Sequence, residues 1–183
     1  MEIKEKEETV QQQYLTFFLA DEEYAVSIQR VKEIIEYTTV TKVPKVPHWI
    51  RGVINLRGNV VPVVDLAARF GLEERPVTKT TCIVIVEVEQ DSERTVMGVI
   101  ADAVNQVIDL GPKDIEEPPA FGTRVRLEYL FGMGKLGKKF ALILNIDSVL
   151  NNVELLTVSS LQSPAGDAQI ETIGSVEDRP EAT

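Results

Sequence analysis

Two stretches of this chain repeat at almost the same interval, and that repetition restricts the fold more than any other feature. Pro62-Val63-Val64-Asp65-Leu66 aligns with Leu142-Ile143-Leu144-Asn145-Ile146 at an offset of 80 residues. Earlier in each half, AVSIQRVKEIIE from Ala25 aligns with GVIADAVNQVID from Gly98 at an offset of 73. The offsets differ by seven residues, which one loop insertion accounts for. Each half then reads as hairpin, connector, hairpin, capped helix. Short runs rich in Val, Ile, Phe and Tyr, punctuated by turn residues, are strand signals. They predict strands over Tyr14–Leu19, Glu23–Ser27, Gly52–Leu56, Val60–Val64, Thr81–Val88, Thr95–Ala101, Asn105–Asp109 and Phe140–Leu144. Hairpin tips are expected at Asp21–Glu23 and Gln90–Glu93, with a tight turn at Arg57-Gly58-Asn59. Pro62 cannot donate to a ladder, so its strand is expected at an edge or with this position facing outward.

Helices are short in this reading. Asp65 before LAARF and Asn145 before IDSVLNNV stand as N-caps, the second helix carrying Ile146, Val149, Leu150 and Val153 on one stripe. A chain of 183 residues holds two such units, each small enough to gain by packing on the other. The expected architecture is mainly all-β: two five-stranded barrels related by a pseudo-twofold, with short helices and a groove between them. One folded domain over residues 14–150 is expected, the first barrel near 14–80 and the second near 81–150, with room for strand exchange. Residues 1–13 and 163–183 are polar or rich in Pro, Gly and acidic residues and lack periodicity, so they read as disordered tails.

Charge narrows the partners. Nineteen basic residues against 29 acidic ones give a formal charge of −10, which repels phosphate backbones and anionic lipid. Neither nucleic-acid binding nor direct membrane binding is expected. The apolar runs fall far short of the ~20 residues that span a bilayer, and MEIKEKEETVQQQ has no apolar core of a signal peptide. A cytoplasmic protein is expected. Cys82 is the only cysteine; lying in TTCIVIVEV, it reads as a buried, inert thiol.

Catalytic chemistry finds little support. The one histidine, His48, lies beside a proline and the one tryptophan, Trp49, with nothing to place a Ser or Cys nucleophile against it. Asp65, Asp102 and Asp147 lie in or beside apolar runs, where a raised pKa could make a general acid. At the repeat position of Asp65, however, stands Asn145, which can cap a helix but cannot exchange a proton. No cluster has the spacing of metal ligands, and neither a metal nor a cofactor is expected. Gly132-Met133-Gly134-Lys135-Leu136-Gly137 spells a GxGxxG pattern. A nucleotide-binding enzyme built on this segment is the alternative function. Against it, the residues that follow, KKFALIL, read as a strand rather than the helix of a dinucleotide fold, and the glycines also suit a tight turn and bulge between strands.

Four segments carry a resemblance: FFLADEEYAVSIQRVKEI, VPHWIRGVINLRGNVVPVVDLAARFG, VMGVIADAVNQVI and EYLFGMGKLGKKFALILNID. In this order, covering most of residues 14–150, they resemble the CheW family of chemotaxis coupling proteins, GVINLRGNVVPVVDL most specifically. The resemblance implies two SH3-like barrels and a non-enzymatic adaptor, recruited to the inner face of the membrane through receptor arrays. Its implied partners are the cytoplasmic tips of methyl-accepting chemotaxis receptors and the regulatory domain of the CheA histidine kinase. By motif match, Val31, Glu33, Gly52, Asn55, Arg57 and Gly58 would lie on or support the receptor-facing surface. Gly98 and Val104 would line the groove from the second barrel, and Phe121 would contribute kinase-side contacts. Val31 and Val104 occupy one repeat position, so they could face each other across a pseudo-twofold groove; ordinary core packing is the competing reading. For Arg57 the competing reading is a solvated turn residue.

Overall fold

The computed structural model describes residues 11–118 and 125–151. Eleven strands form β1 (Gln12–Leu19), β2 (Glu22–Ser27), β3 (Val31–Glu36), β4 (Ile50–Leu56), β5 (Asn59–Asp65), β6 (Cys82–Gln90), β7 (Glu93–Ala101), β8 (Ala103–Leu110), β9 (Ile115–Glu116), β10 (Leu130–Leu136) and β11 (Lys139–Leu144). Two short helices, α1 (Leu66–Arg69) and α2 (Ile146–Leu150), follow β5 and β11. The protein is mainly β, in two SH3-like sheets whose strand orders are β3-β6-β7-β5-β4 and β8-β1-β2-β11-β10-β9.

The repeat becomes a pseudo-twofold here. Val63 pairs in parallel with Gly98, and Ile143 with Ala25, so the offsets of 80 and 73 meet in one register. Each first hairpin is inserted in the sheet of the other half: β6–β7 lies between β3 and β5, and β1–β2 between β8 and β11. Even the irregularities match. Val31 and Glu33 pair with Val86 and Ile85, leaving Lys32 as the bulged residue. Val104 and Gln106 pair with Phe17 and Thr16, leaving Asn105. The buried Thr16 Oγ1 satisfies that second bulge by bonding the Gln106 backbone N and O at 3.2 Å each.

Near-continuous apolar runs in β2, β5, β6 and β11 arise because both faces are covered, and successive side chains point to opposite faces. In β6, Val84, Val86 and Val88 enter a core shared between the sheets, while Ile83 and Ile85 enter the interior of their own barrel. In β11, Leu144 faces the shared core while Ala141 and Ile143 fill the other barrel. Stacked rings of Phe17, Tyr24 and Phe70, extended by Tyr129, run through the shared core with centroids 6.0–6.2 Å apart.

Polar bonds close this interface at its ends. Arg69 of α1 lies over Trp49, 4.1 Å from the ring centroid, and over Tyr129 at 5.4 Å. It donates from Nε to the Val149 carbonyl of α2 at 2.9 Å and from Nη2 to the Tyr129 hydroxyl at 3.1 Å. Gln90 Nε2 takes the next orphan carbonyl of that helix end, Leu150, at 2.8 Å. Arg30 clamps Asp147 through two bonds of 2.6 and 3.0 Å, and Asp147 Oδ1 also accepts from the Glu89 backbone N–H.

Both predicted N-caps are in place: Asp65 Oδ1 accepts from the Ala68 N–H and Asn145 Oδ1 from the Ser148 N–H. Val153 lies outside the described residues. The second hairpin tip falls at Gln90–Glu93 as expected, with Asp91–Ser92 as its turn. Other expectations are corrected. The first turn falls earlier than expected, at Ala20–Asp21, between Leu19↔Glu22. Pro62 is not on an edge strand, because β5 lies between β7 and β4; the ladder to β7 begins at Val63, one residue after the proline. The strand β10 occupies much of the glycine-rich segment read as turn and bulge. Gly132 is required there because a Cβ would lie 2.8 Å from the Glu116 carbonyl of β9. Only Gly137, at φ 63°, serves the turn, and the β10–β11 register slips nearby, between Leu130 and Gly132.

The Arg69 junction carries a prediction. Arg69→Ala strands two acceptors and removes a cation held by two rings, so it should lower the unfolding free energy by about 2 kcal/mol. Arg126→Ala, which removes a mostly exposed pair with Glu128, should change it by less than about 0.5 kcal/mol. Urea titration of both variants checks the contrast.

Candidate interaction surface

The surface grows from the turn between β4 and β5. Leu56 pairs with Asn59, leaving Arg57 and Gly58 as a two-residue loop at φ 53° and 87°, the type I′ geometry that suits strand twist. Asn55 Oδ1 accepts from the Gly58 N–H at 2.8 Å and fixes the loop. The loop aims Arg57 at the start of β3, where both of its Nη atoms donate to the two Glu33 carboxylate oxygens at 2.9 Å. These hydrogen bonds, and then the carboxylate charge, raise the Arg57 guanidinium above its ordinary pKa. The Arg57 side chain remains 72% exposed, so the pair is a presented feature rather than a buried brace. It stands at a cleft of about 790 Å³ that Leu56, Val60, Val61, Ile85 and Val96 also line.

Of the residues singled out in the sequence, the structure thus brings together Glu33, Asn55, Arg57 and Gly58. Val31 and Val104 occupy equivalent positions on the outer strands of the two sheets, and both are half-buried against the shared core. Gly52 and Gly98 do backbone work. At Gly52, φ is 143° and a Cβ would sit 2.0 Å from the Thr41 carbonyl, whose strand-like bridge to Val53 closes the β4 edge. Gly98 lies in β7, within the β3–β7 sheet, where a Cβ would meet Ile83 Cγ2 at 2.7 Å. Phe121 lies outside the described residues. Lys32 and Arg94 also line the cleft and went unread. Lys32 is aimed by a bulge, and Arg94 by a hairpin longer than its repeat partner; neither feature marks the local pattern.

The candidate carboxylates and the thiol are committed elsewhere. His48 is exposed. Asp65 caps α1 and is held by Arg51 at 2.7 Å. Asp102 accepts from the Ala20 N–H at 2.8 Å, bracing the first hairpin tip. Cys82 is buried, which pushes its thiol pKa up. The glycine-rich segment is paired on both sides, with β9 and β11, so its backbone N–H groups are not gathered as a phosphate cradle. Among the described residues, no group of three or more His, Cys, Asp or Glu side chains stands ready to hold a metal ion. Nor is any described helix long and apolar enough to cross a membrane.

The fold and surface define a binding module: paired barrels that present an ion-paired turn at a cleft of mixed apolar and charged lining. Comparison with known proteins gives the family. The CheW-like domain family model matches residues 13–154. The chain is 34% identical to the chemotaxis protein CheW of Klebsiella aerogenes, covering 84% of this chain and 90% of that protein. It is 31% identical to the CheW of Treponema pallidum over 81% and 88%. The crystal structure of the scaffolding protein TtCheW from Thermoanaerobacter tengcongensis superposes with a TM-score of 0.70 at 33% identity, covering 79% of this chain and 91% of that one. The chain belongs to the CheW family of chemotaxis adaptor proteins.

Two variants separate architecture from surface. Gly52→Ala should lower stability by about 2–4 kcal/mol with no partner present, because the added carbon meets backbone at a strained φ. Arg57→Ala should leave the thermal transition within about 2 °C of the parent. Scanning calorimetry of both proteins checks this.

Proposed function

We propose that this protein couples methyl-accepting chemotaxis receptors to the CheA histidine kinase as a cytoplasmic, non-catalytic scaffold, reaching the inner face of the membrane through receptor arrays. The observation that carries the reading is the Arg57–Glu33 pair at a cleft whose lining mixes apolar and charged side chains. A helical receptor tip needs apolar area for affinity and rim charges for register, and this surface offers both. Val31 would add an anchor at the near end of β3 and Val104 its counterpart on the other sheet. Gly52, Gly98, Asn55 and Gly58 would hold the backbone that presents them. Phe121 would serve the kinase side. Asp65, Asp102, Asp147 and Cys82 are used for capping, bracing or packing, which supports an adaptor rather than an enzyme.

Calorimetric titration against a receptor-tip fragment and a CheA regulatory-domain fragment tests the proposal. Saturable binding of both is expected. Arg57→Ala should weaken the receptor titration about tenfold and spare the kinase one, while Phe121→Ala should do the reverse. Failure of the parent protein to bind either fragment would overturn the coupling reading. A rise in melting temperature with saturating ATP or GTP would return the glycine-rich segment to consideration.

A further inference from the structure

The pseudo-twofold offers two copies of the cleft, and the two differ in chemistry. In the copy described above, β3 contributes Lys32 and Glu33, and the β4–β5 turn contributes Arg57. Their repeat partners in the other half are Asn105, Gln106 and Gly137, so the three charged positions have become neutral there. The apolar element is kept: Val60 is 42% exposed and its partner Phe140 is 44% exposed. Apolar area is therefore common to both copies, but the charges are placed differently: the other half carries Lys138 and Lys139 where this one has Gly58 and Asn59, and Asp21, Glu22 and Glu23 where this one has Arg94, Thr95 and Val96.

The same copy has gained a wall. From the equivalent pairs Tyr14↔Ser27 and Ile83↔Ile100, the β1–β2 ladder runs on to Leu19↔Glu22, whereas β6–β7 runs two residue pairs further, to Gln90↔Glu93. The extended ribbon contributes Arg94, Thr95 and Val96 to the cleft lining. The charged residues of that lining are Lys32, Arg57, Arg94 and Glu33. The lining itself thus sets three cations against one carboxylate, on a chain of net −10. Behind the lining, Glu87 holds Lys32 at 3.6 Å and Arg94 at 3.3 Å, and Glu89 stands opposite Arg94 in the register. The Lys32 and Arg94 side chains are 51% and 72% exposed, so these contacts are weak enough to yield to a partner's carboxylates.

We propose that this cleft takes an acidic segment of the receptor tip carrying an apolar anchor, and that Arg94 and Lys32 determine specificity for it. The inference rests on the receptor-coupling reading and adds the chemistry of the bound segment, the copy of the cleft it enters and the residues that select it. An apolar side chain covers Val60 and Val96, while carboxylates beside it take over the cations that Glu87 now holds. The other copy sets Asp21, Glu22 and Glu23 at the positions of Arg94, Thr95 and Val96, and these carboxylates repel an acidic segment.

The test compares the full chain with Arg94→Gln, Lys32→Gln and the double variant, titrated with a receptor-tip fragment at about 0.05 M and about 0.5 M salt. Arg126→Gln, an exposed cation away from the cleft, is the control, and thermal transitions confirm that each variant is folded. The expected result is an affinity about tenfold lower for the double variant at low salt, shrinking to under about threefold at high salt, with the control unchanged. Tip binding by the parent that the double variant retains in full would overturn the cleft assignment and leave receptor coupling standing. A loss confined to a parallel titration with the kinase fragment would overturn it by giving the cleft to the kinase. No tip binding by the parent would overturn both.

Discussion

Arg69 sits where the two halves of this molecule meet, and most of the architecture depends on what it satisfies there. Trp49 and Tyr129 are repeat partners, as are Arg69 and Val149, each pair separated by 80 residues. One cation therefore lies between two equivalent rings and donates to its own counterpart's carbonyl. A true twofold could not do this with a single side chain. The asymmetry of one Arg against one Val lets the short helices α1 and α2 approach without like charges meeting. Around that point the shared core supplies the larger, non-directional term, from buried Phe17, Tyr24, Leu66, Met97, Leu144 and Leu150. The polar contacts add direction: Gln90 and Arg69 take the last carbonyls of α2, and Arg30 and Asp147 tie that helix to the β2–β3 connector.

The exchange of hairpins follows from the same economy of surface. A five-stranded sheet made from one half alone would cover only its own concave interior. Inserting β6–β7 beside β3 and β5, and β1–β2 beside β8 and β11, makes each sheet depend on both halves of the chain. From Cys82 to Val86, β6 then has no face left for solvent, and its sequence there is a continuous apolar run. The continuous runs and the repeat are thus two consequences of one arrangement.

Much of this could be read locally, and the exceptions have physical causes. Asp65 and Asn145 were legible because capping is a short-range interaction that needs only an acceptor at the right step. The repeat gave the pairing of equivalent positions, but it is the same whether hairpins stay in their own half or change places, so sheet membership could not follow from it. Strand β10 was hidden because its glycines answer to a neighbour, β9, that is distant in sequence. Lys32–Glu36 was hidden by charges that belong to an outer strand, where every second residue faces solvent. At the surface, Glu33 and Arg57 were found through family motifs, but their pairing across 24 residues is a property of the fold. The Arg69 stack left no local sign at all.

The turn that presents Arg57 shows how far backbone strain can be used as an argument. A non-glycine residue at φ 53° costs roughly 1 kcal/mol, and Gly137 at the repeat position avoids that cost. Strain alone does not mark function, however, since Ala20 at φ 49° and Asp91 at φ 48° sit in hairpin turns of the same hand. What separates Arg57 from them is its pairing: a guanidinium closing on Glu33 through two bonds, largely open to solvent, at a cleft whose repeat partner has Gly137 and Gln106 at these two positions. A fold assembled by duplication starts with two equal surfaces. The positions where packing still demands equality, such as the caps and the bulges, have kept it. The positions free of packing have diverged, and in this protein they diverge together around a single cleft.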